Sequence, residues 1–329
     1  MRNNTVLIVG AGASKALNKE FGLGKEMLEE ISNRVTDRTS ITKPNLSNLL
    51  KNLGFDSSLL QDFVDHLDKY KQQVDYPSID GFLDEVSSYP EFNSVKDDYI
   101  KIGRFSIIFH ILGYEGALKR DGLPSNAWIH MLARYIDENN LLDFDIKNST
   151  SISIITFNYD RNIEHFLYEH DRFKYRKNDI KKFIEQSIIH IYGKIGDLPW
   201  QNSSQNFQYG EDNNKYDKIF NQKNAIDIMF LERMKTAPND EASFRIHSSD
   251  AKKVGALGFN FDLINYRLLS LQNLGINNQE LRFIANIFPD SSSEFKNRRV
   301  MAERIRNIKH DAELKYLSCT GFIREILEI

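Results

Sequence analysis

The chain has 329 residues, of which 41% are hydrophobic and 12% aromatic, so it holds enough apolar side chains for one large globular core or two smaller ones. Its formal net charge of −3 gives no expectation of nucleic-acid binding, and its single cysteine, Cys319, excludes an internal disulfide and a cysteine-based zinc site. No run of about 18 apolar residues occurs, and the apolar stretch after Met1 is too short for a signal peptide. We therefore expect a soluble, cytoplasmic protein with no membrane partner and no bound metal.

A strand, a glycine-rich turn and a helix are predicted at the start of the chain. Residues 6–9 are apolar, and three of them are β-branched, which is typical of a strand buried on both faces. The glycines that follow permit a sharp turn and the close approach of a ligand, and a helix is predicted from residue 14. Such a junction presents backbone N–H groups to an anion and suits a pyrophosphate, although any α/β protein can contain a tight strand–helix turn. A P-loop is excluded, because no Gly-Lys-Ser/Thr sequence follows. The residues predicted to contact a nucleotide here are Gly10, Ala11, Gly12, Ala13 and Ser14.

Helical spacing dominates from about residue 40 to residue 140, and we interpret about 40–148 as a helical insertion between the first and second strands. Residues 100–118 are apolar on most sides, which predicts a central buried helix. Ser78 is predicted to cap a helix that begins near Ile79, with Asp80 in its first turn, where a carboxylate is favoured. The functional alternative is that Asp80 faces a nucleotide cleft.

A second strand is predicted at residues 151–157, where β-branched residues recur. It ends in Asn158 and Asp160, just before a helix. In parallel sheets the loops at the carboxyl ends of the strands carry ligands, so these two polar residues suit substrate contact. The local alternative is an Asx-type turn at the start of the helix.

Two further strand ends carry glycines. Residues 187–193 predict a short strand in which the period of two places His190 and Tyr192 on the same side, ahead of Gly193. A lone histidine in an apolar strand is most often a core residue, but its position at a strand end favours a role in a cleft. Residues 253–258 predict a third strand–glycine–helix junction, with Asn265 on the outgoing helix. The basic residues of 171–182 are mixed with aspartates and indicate a solvated face, and from residue 277 onward the chain is predicted to be mostly helical.

These strand-end motifs stand in an order that resembles the SIR2-like family of bacterial NAD-consuming proteins. The resemblance covers about residues 1–35 and 150–270. It rests on the motifs Gly10-Ala11-Gly12-Ala13-Ser14, Thr156-Phe157-Asn158-Tyr159-Asp160, His190-Ile191-Tyr192-Gly193 and Gly258-Phe259-Asn260-Phe261 with Asn265. The resemblance implies a Rossmann-like domain that binds NAD+ and breaks the bond between nicotinamide and ribose.

The resemblance also implies a role for each matched residue. Asn158 and His190 correspond to the catalytic pair of the family, and Asp160 to the aspartate that helps to hold the nicotinamide end. Sirtuins place the catalytic histidine immediately before a glycine; here Tyr192 occupies that place, so either His190 or Tyr192 is a candidate for the catalytic position. The NAD+ contacts implied beyond the first glycine turn are Thr156, Asp160, Tyr192, Gly193, Gly258, Phe259 and Asn265.

The resemblance therefore implies an α/β, Rossmann-like parallel sheet with a large helical insertion and C-terminal helices. We expect a SIR2-like domain at residues 1–275, with the insertion at about 40–148, and a helical extension at 276–329. The implied function is an NAD+ hydrolase that acts in antiphage defence by depleting NAD+, with NAD+ as substrate and a protein partner, a sensor subunit or a homo-oligomer as control. The alternative is a non-catalytic subunit that binds NAD+ or ADP-ribose. A protein deacylase is less expected, because the four-cysteine zinc module of sirtuins is absent.

Overall fold

The computed structural model describes residues 3–22, 24–36, 45–74, 77–144, 150–201, 208–211, 238–247, 251–259, 261, 263–273, 280–286, 302–303, 305–307 and 312–329. Within them, six parallel strands form one open sheet in the order β3-β2-β1-β4-β5-β6. This order is that of a doubly wound dinucleotide-binding sheet, so the predicted α/β, Rossmann-like fold class is confirmed. The strands are β1 (Asn3–Val9), β2 (Thr150–Thr156), β3 (Ile188–His190), β4 (Ala251–Leu257), β5 (Arg282–Asn286) and β6 (Glu313–Lys315).

Strand β1 lies at the centre of the sheet because both of its faces are apolar, and residues 6–9 are completely buried. Its last residue, Val9, is aligned with Thr156 on β2 and with Leu257 on β4. The carboxyl ends of these three strands are therefore level. Because the strand order reverses between β1 and β4, this edge is the topological switch point at which sheets of this type bind ligands.

The helices fall into two compact units. The first unit contains the sheet and the described residues of Met1–Leu17, Leu123–Gly193 and Glu232–Ile329; the second contains those of Asn18–Gly122 and Lys194–Leu231. Among the helices in the described part of the chain, none is long and apolar enough to cross a membrane. The α-helices are α1 (Ala11–Lys15), α2 (Gly24–Val35), α3 (Leu46–Asn52), α4 (Ser57–Gln73), α5 (Ile79–Ser88), α6 (Lys96–Asp121), α7 (Trp128–Glu138), α8 (Asn162–Glu169), α9 (Lys177–Ser187), α10 (Pro238–His247), α11 (Leu263–Leu268) and α12 (Cys319–Leu327). Short 3-10 turns occur at Pro90–Phe92, Asp171–Phe173 and Leu271–Asn273.

In the second unit, helix α6 forms the buried centre that its all-round apolar pattern predicts. Helix α5 packs against it so closely that a Cβ atom on Gly103 would lie 2.6 Å from Cδ2 of Leu83. The predicted helix start at Ile79 is also confirmed, because the Ser78 hydroxyl accepts a hydrogen bond from the Gly81 N–H at 3.1 Å. Ser78 is therefore a helix cap.

Two glycines of helix α6 should respond in opposite ways to replacement by alanine. Gly113 is exposed, and a Cβ atom there would meet nothing within 4 Å, whereas Gly103 faces Leu83. We expect Gly113→Ala to raise the free energy of unfolding by about 0.5–1 kcal/mol, because alanine loses less backbone entropy in a helix. Gly103→Ala is the matched variant, and overpacking should lower the same quantity by about 1–3 kcal/mol. Urea unfolding measures both, and effects of the same sign would contradict the packing of α5 on α6.

Acid should destabilise the second unit through His110. Burial lowers the pKa of this histidine to about 4, with the charge of Arg34 adding to the lowering and the hydrogen bond to the Ser106 carbonyl opposing it. The pKa in an unfolded chain is about 6.5, so between these pH values only the unfolded state takes up the proton. The free energy of unfolding should thus fall by roughly 3 kcal/mol as the pH falls through that window. Above the window, His110 should add no pH dependence to the free energy of unfolding. In urea unfolding at neutral pH and near pH 4.5, His110→Gln should lose less stability than the wild type; an equal loss would contradict this assignment.

The prediction for the C-terminal region needs correction. The region after residue 276 was predicted to be helical, but β5 and β6 lie in it and extend the sheet. The apolar run Phe283-Ile284-Ala285 of β5 is too short to be distinguished from a buried helical segment by periodicity. The predicted insertion at about 40–148 stays a prediction; of the flanking helices, α2 lies in the second compact unit and α7 in the first. Asn260 and much of 277–311 lie outside the described residues.

Candidate functional site

The turns after β1 and β4 contact each other directly through their backbones. The N–H of Gly10 donates to the Leu257 carbonyl and that of Gly12 to the Gly258 carbonyl, each at 3.0 Å. A Cβ atom on Gly10 would lie 2.5 Å from the Gly258 oxygen, and one on Gly12 would lie 3.0 Å from it. These glycines are therefore required by the packing of the two turns, a reason that the sequence prediction, which assigned them to ligand approach, did not include. Of the remaining residues predicted to contact a nucleotide, Ala11 is exposed and Ala13 is buried.

Asn158 lies two residues beyond the carboxyl end of β2, and four hydrogen-bonding atoms are arranged around it. Its side-chain amide donates from Nδ2 to the Gly10 carbonyl at 3.1 Å and to the Ser14 hydroxyl at 2.9 Å. Its backbone N–H donates to Oγ1 of Thr156 at 3.1 Å, and its carbonyl faces Nδ1 of His190 at 2.9 Å. Because the Gly10 carbonyl can only accept, these contacts also fix which side-chain atom is the nitrogen.

The amide oxygen of Asn158 is the exception in this network. Oδ1 is buried and has no hydrogen-bond partner among the described residues, and water has little access to it because the whole residue is only 8% exposed. An unsatisfied buried acceptor costs about 1–3 kcal/mol, so proteins retain such atoms mainly where they have a use. A hydroxyl group or water that donates to Oδ1 would remove this cost.

Asp160 connects the loop after β2 to helix α1 and to the start of helix α8. One carboxylate oxygen accepts a hydrogen bond from the Ser14 hydroxyl at 2.8 Å, and the other accepts from the Asn162 N–H at 3.2 Å. The second contact is the Asx-type turn that local reasoning offers as the alternative to substrate contact. Ser14 therefore links Asn158 to Asp160, and the first and second strand-end motifs form one polar network.

His190 is the last residue of β3, and both of its ring nitrogens are engaged. Nδ1 faces the Asn158 carbonyl, and Nε2 lies 2.9 Å from Oε1 of Glu164 in the first turn of α8. Glu164 is 1% exposed, and the side chain of His190 is 8% exposed. A general base needs a ring nitrogen that can accept a proton from the substrate. The catalytic role of His190 therefore stays a prediction, and its contacts are those of a residue that holds Asn158.

Tyr192 and Asn265 contact each other beside this network. The Tyr192 hydroxyl donates a hydrogen bond to Oδ1 of Asn265, and the Tyr192 ring stacks on Tyr159 with centroids 6.1 Å apart. The ring of Phe157 lies between Tyr192 and Phe259, at 5.4 Å and 4.9 Å. An aromatic wall therefore lines the carboxyl ends of β2, β3 and β4. Gly193, which follows Tyr192, has a φ of 79°, which glycine adopts without strain.

A polar residue that the sequence analysis missed stands at the same edge of the sheet. Asn286 ends β5 and is 1% exposed; its Oδ1 accepts from the Leu317 N–H at 3.2 Å, while Nδ2 is buried without a hydrogen-bond partner in the described part of the chain. The signal was present in the sequence, because an apolar run that ends in asparagine resembles the second strand and Asn158. It was missed because the run was interpreted as helix.

The comparisons with known proteins do not identify a family for this chain. A scan against protein-family models finds no match, and a search of curated proteins finds none. Among the described residues, no cluster of three or more histidine, cysteine, aspartate or glutamate side chains has the arrangement of a metal site.

Proposed function

We propose that this protein is an NAD+ hydrolase that cleaves the bond between nicotinamide and ribose. The observation that carries the proposal is Asn158, whose hydrogen-bonding groups are all engaged except an amide oxygen at the carboxyl edge of the sheet. Such an acceptor suits a ribose hydroxyl or a water molecule, and Asn158 matches the catalytic asparagine of the SIR2-like motif.

The chemistry of the bond fits a site that positions groups more than it transfers protons. Nicotinamide leaves as a neutral group when its nitrogen takes the bonding electron pair, so it needs no general acid. Water then forms the new bond to the anomeric carbon and releases a proton. Asn158 Oδ1 would orient the water or a ribose hydroxyl, and correct orientation alone lowers an activation barrier by several kcal/mol.

Two features support a dinucleotide as the substrate. The strand order 3-2-1-4-5-6 places the loops after β1 and β4 at the switch point, where sheets of this kind bind dinucleotides. Two buried asparagines, Asn158 and Asn286, each have a side-chain atom without a hydrogen-bond partner in the part of the chain that the structure describes. They lie at the carboxyl ends of β2 and β5, on opposite sides of that point. In the proposal, Asn158 serves the nicotinamide half and Asn286 the adenosine half.

The proposal is tested by release of nicotinamide from NAD+ by the purified chain, measured by chromatography. Nicotinamide and ADP-ribose in equal amounts are expected. Products from NAD+ that include no nicotinamide would contradict the assigned bond. Following the SIR2-like resemblance, we further propose that this activity depletes NAD+ in antiphage defence under the control of a partner protein or of self-assembly, and NAD+ levels in infected cells would test that role.

A second candidate function is a non-catalytic subunit that binds NAD+ or ADP-ribose. The observation that favours it is that His190 and Tyr192, the two candidates for the catalytic position, both make hydrogen bonds within the protein. Calorimetry distinguishes the two candidates: saturable ADP-ribose binding without nicotinamide release, alone or with a partner, would favour the binding subunit.

A further inference from the structure

We propose that Glu164 and His190 act as a positioning pair that holds the Asn158 amide in its working orientation, and that His190 does not accept a proton from the substrate. This inference rests on the proposed function and deepens it. It replaces the catalytic role that the resemblance implies for His190 with a structural role at the same site.

The Nδ1 atom of His190 carries a proton. The Asn158 carbonyl can only accept a hydrogen bond, so at 2.9 Å the His190 Nδ1 must carry a proton. That leaves Nε2 as the atom that decides whether the ring can act as a base. Nε2 lies 2.9 Å from the Glu164 carboxylate, and that carboxylate is almost completely buried. A substrate proton therefore has no ring nitrogen to reach.

The His190–Glu164 pair connects β3 to the loop after β2 and to helix α8. His190 is aligned with Thr156 across the β2–β3 pairing, and the N–H of Ile191 donates to the Thr156 carbonyl at 2.9 Å. The ring thus extends from a fixed strand to the loop after β2 through Asn158, and to the first turn of α8 through Glu164. A partner on Nε2 keeps the ring from rotating away from the Asn158 carbonyl, as carboxylates do for other positioned histidines.

The pair is one of the contacts that fix the orientation of Asn158. Its backbone is held by Thr156 at the N–H and by His190 at the carbonyl, and its Nδ2 is held by Gly10 and Ser14. The direction of Oδ1 follows from these contacts. Loss of the carbonyl contact would release the peptide group after Asn158, and an error of about 1 Å at a positioned group can cost about 10²-fold in rate.

Paired variants separate a positioning role from a proton-accepting one. His190→Asn keeps an amide N–H near the place of Nδ1 but cannot accept a proton, whereas His190→Leu keeps neither. Glu164→Gln can donate to Nε2 and preserve the proton on Nδ1, whereas Glu164→Leu cannot. We expect kcat for nicotinamide release to stay within about tenfold of wild type in the Asn and Gln variants and to fall by about 10² in the two Leu variants. Equal losses of about 10²–10⁴ in His190→Asn and His190→Leu, with both proteins folded by thermal unfolding, would establish a base and overturn the proposal.

A measurement that does not depend on activity keeps this test apart from that of the proposed function. In protein labelled with 15N-histidine, the His190 ring N–H should give a resonance that persists because exchange with water is slow. It is assigned by its loss in His190→Asn. The resonance should remain in Glu164→Gln and disappear in Glu164→Leu. If it persists unchanged in Glu164→Leu, Glu164 does not hold the ring and the positioning pair is wrong. If the resonances behave as expected but the wild type releases no nicotinamide, the pair stands as a structural unit and the hydrolase assignment fails.

Discussion

Replacement of Asn158 by alanine is expected to lower nicotinamide release from NAD+ by at least about 10²-fold, because it removes a buried amide oxygen that has no hydrogen-bond partner among the described residues. The protein should still fold. The Gly10 carbonyl and the Ser14 hydroxyl each lose a donor, at a cost of about 1–3 kcal/mol, but the variant also removes a buried oxygen that has no partner. Steady-state kinetics and urea unfolding of the same preparation measure the two effects.

Two further variants make the Asn158 result specific. Asn93→Ala removes an exposed amide far along the chain, and its turnover should equal that of the wild type. Asn158→Asp keeps an oxygen acceptor but places a second oxygen against the Gly10 carbonyl, which should displace the side chain and lower turnover as well. If folded Asn158→Ala retained more than a tenth of the wild-type kcat, the amide oxygen would not serve the reaction.

Replacement of Gly258 by alanine is expected to lower the free energy of unfolding by several kcal/mol, on the order of 3–5. Gly258 has a φ of 57°, and a Cβ atom there would clash with the backbone N of Ala13 and lie 2.5 Å from the Gly12 carbonyl carbon. Backbone atoms cannot rotate away as a side chain can, so the turns after β1 and β4 would have to separate. Because those turns form the switch point, NAD+ binding should weaken in any fraction that still folds.

The matched variant for Gly258 is Gly122→Ala. Gly122 has a φ of 76° at the end of α6, but a Cβ atom there would meet nothing within 4 Å. Alanine at this position should therefore cost only the unfavourable backbone conformation, in which a φ of 76° is combined with a ψ of 168°, about 1–3 kcal/mol. Chemical denaturation measures the free energy of unfolding of both variants, and so separates the cost of the backbone conformation from the cost of the clash with neighbouring atoms. Equal destabilisation would show that the contact between the two turns contributes nothing beyond the φ angle.

Several features could be predicted from local sequence alone because their causes are local. The succession of an apolar run, glycines and a helix start locates β1 and α1, and it does so again at the end of β4, whereas β2 is located by an apolar run followed by polar residues and a helix start. Ser78 caps α5 through an N–H only three residues away, so the pattern is visible without any tertiary contact. Helix α6 is apolar on most sides and could only be a buried helix. The placement of Asn158 and Asp160 at a carboxyl end follows from the same reasoning.

Other features were decided by the tertiary structure because their partners are distant in the chain. The sequence marks Gly10 and Gly12 as permissive, but only the contact with Gly258 explains why no side chain fits there. Likewise, a strand-end histidine has the same local pattern whether it faces a substrate or a carboxylate, and Glu164 lies 26 residues from His190. Strand β5 is too short for its period to identify it, so its state depends on pairing with β4. Local patterns thus determine which residues stand at the edge of the sheet, whereas long-range hydrogen bonds decide which contacts their polar atoms make.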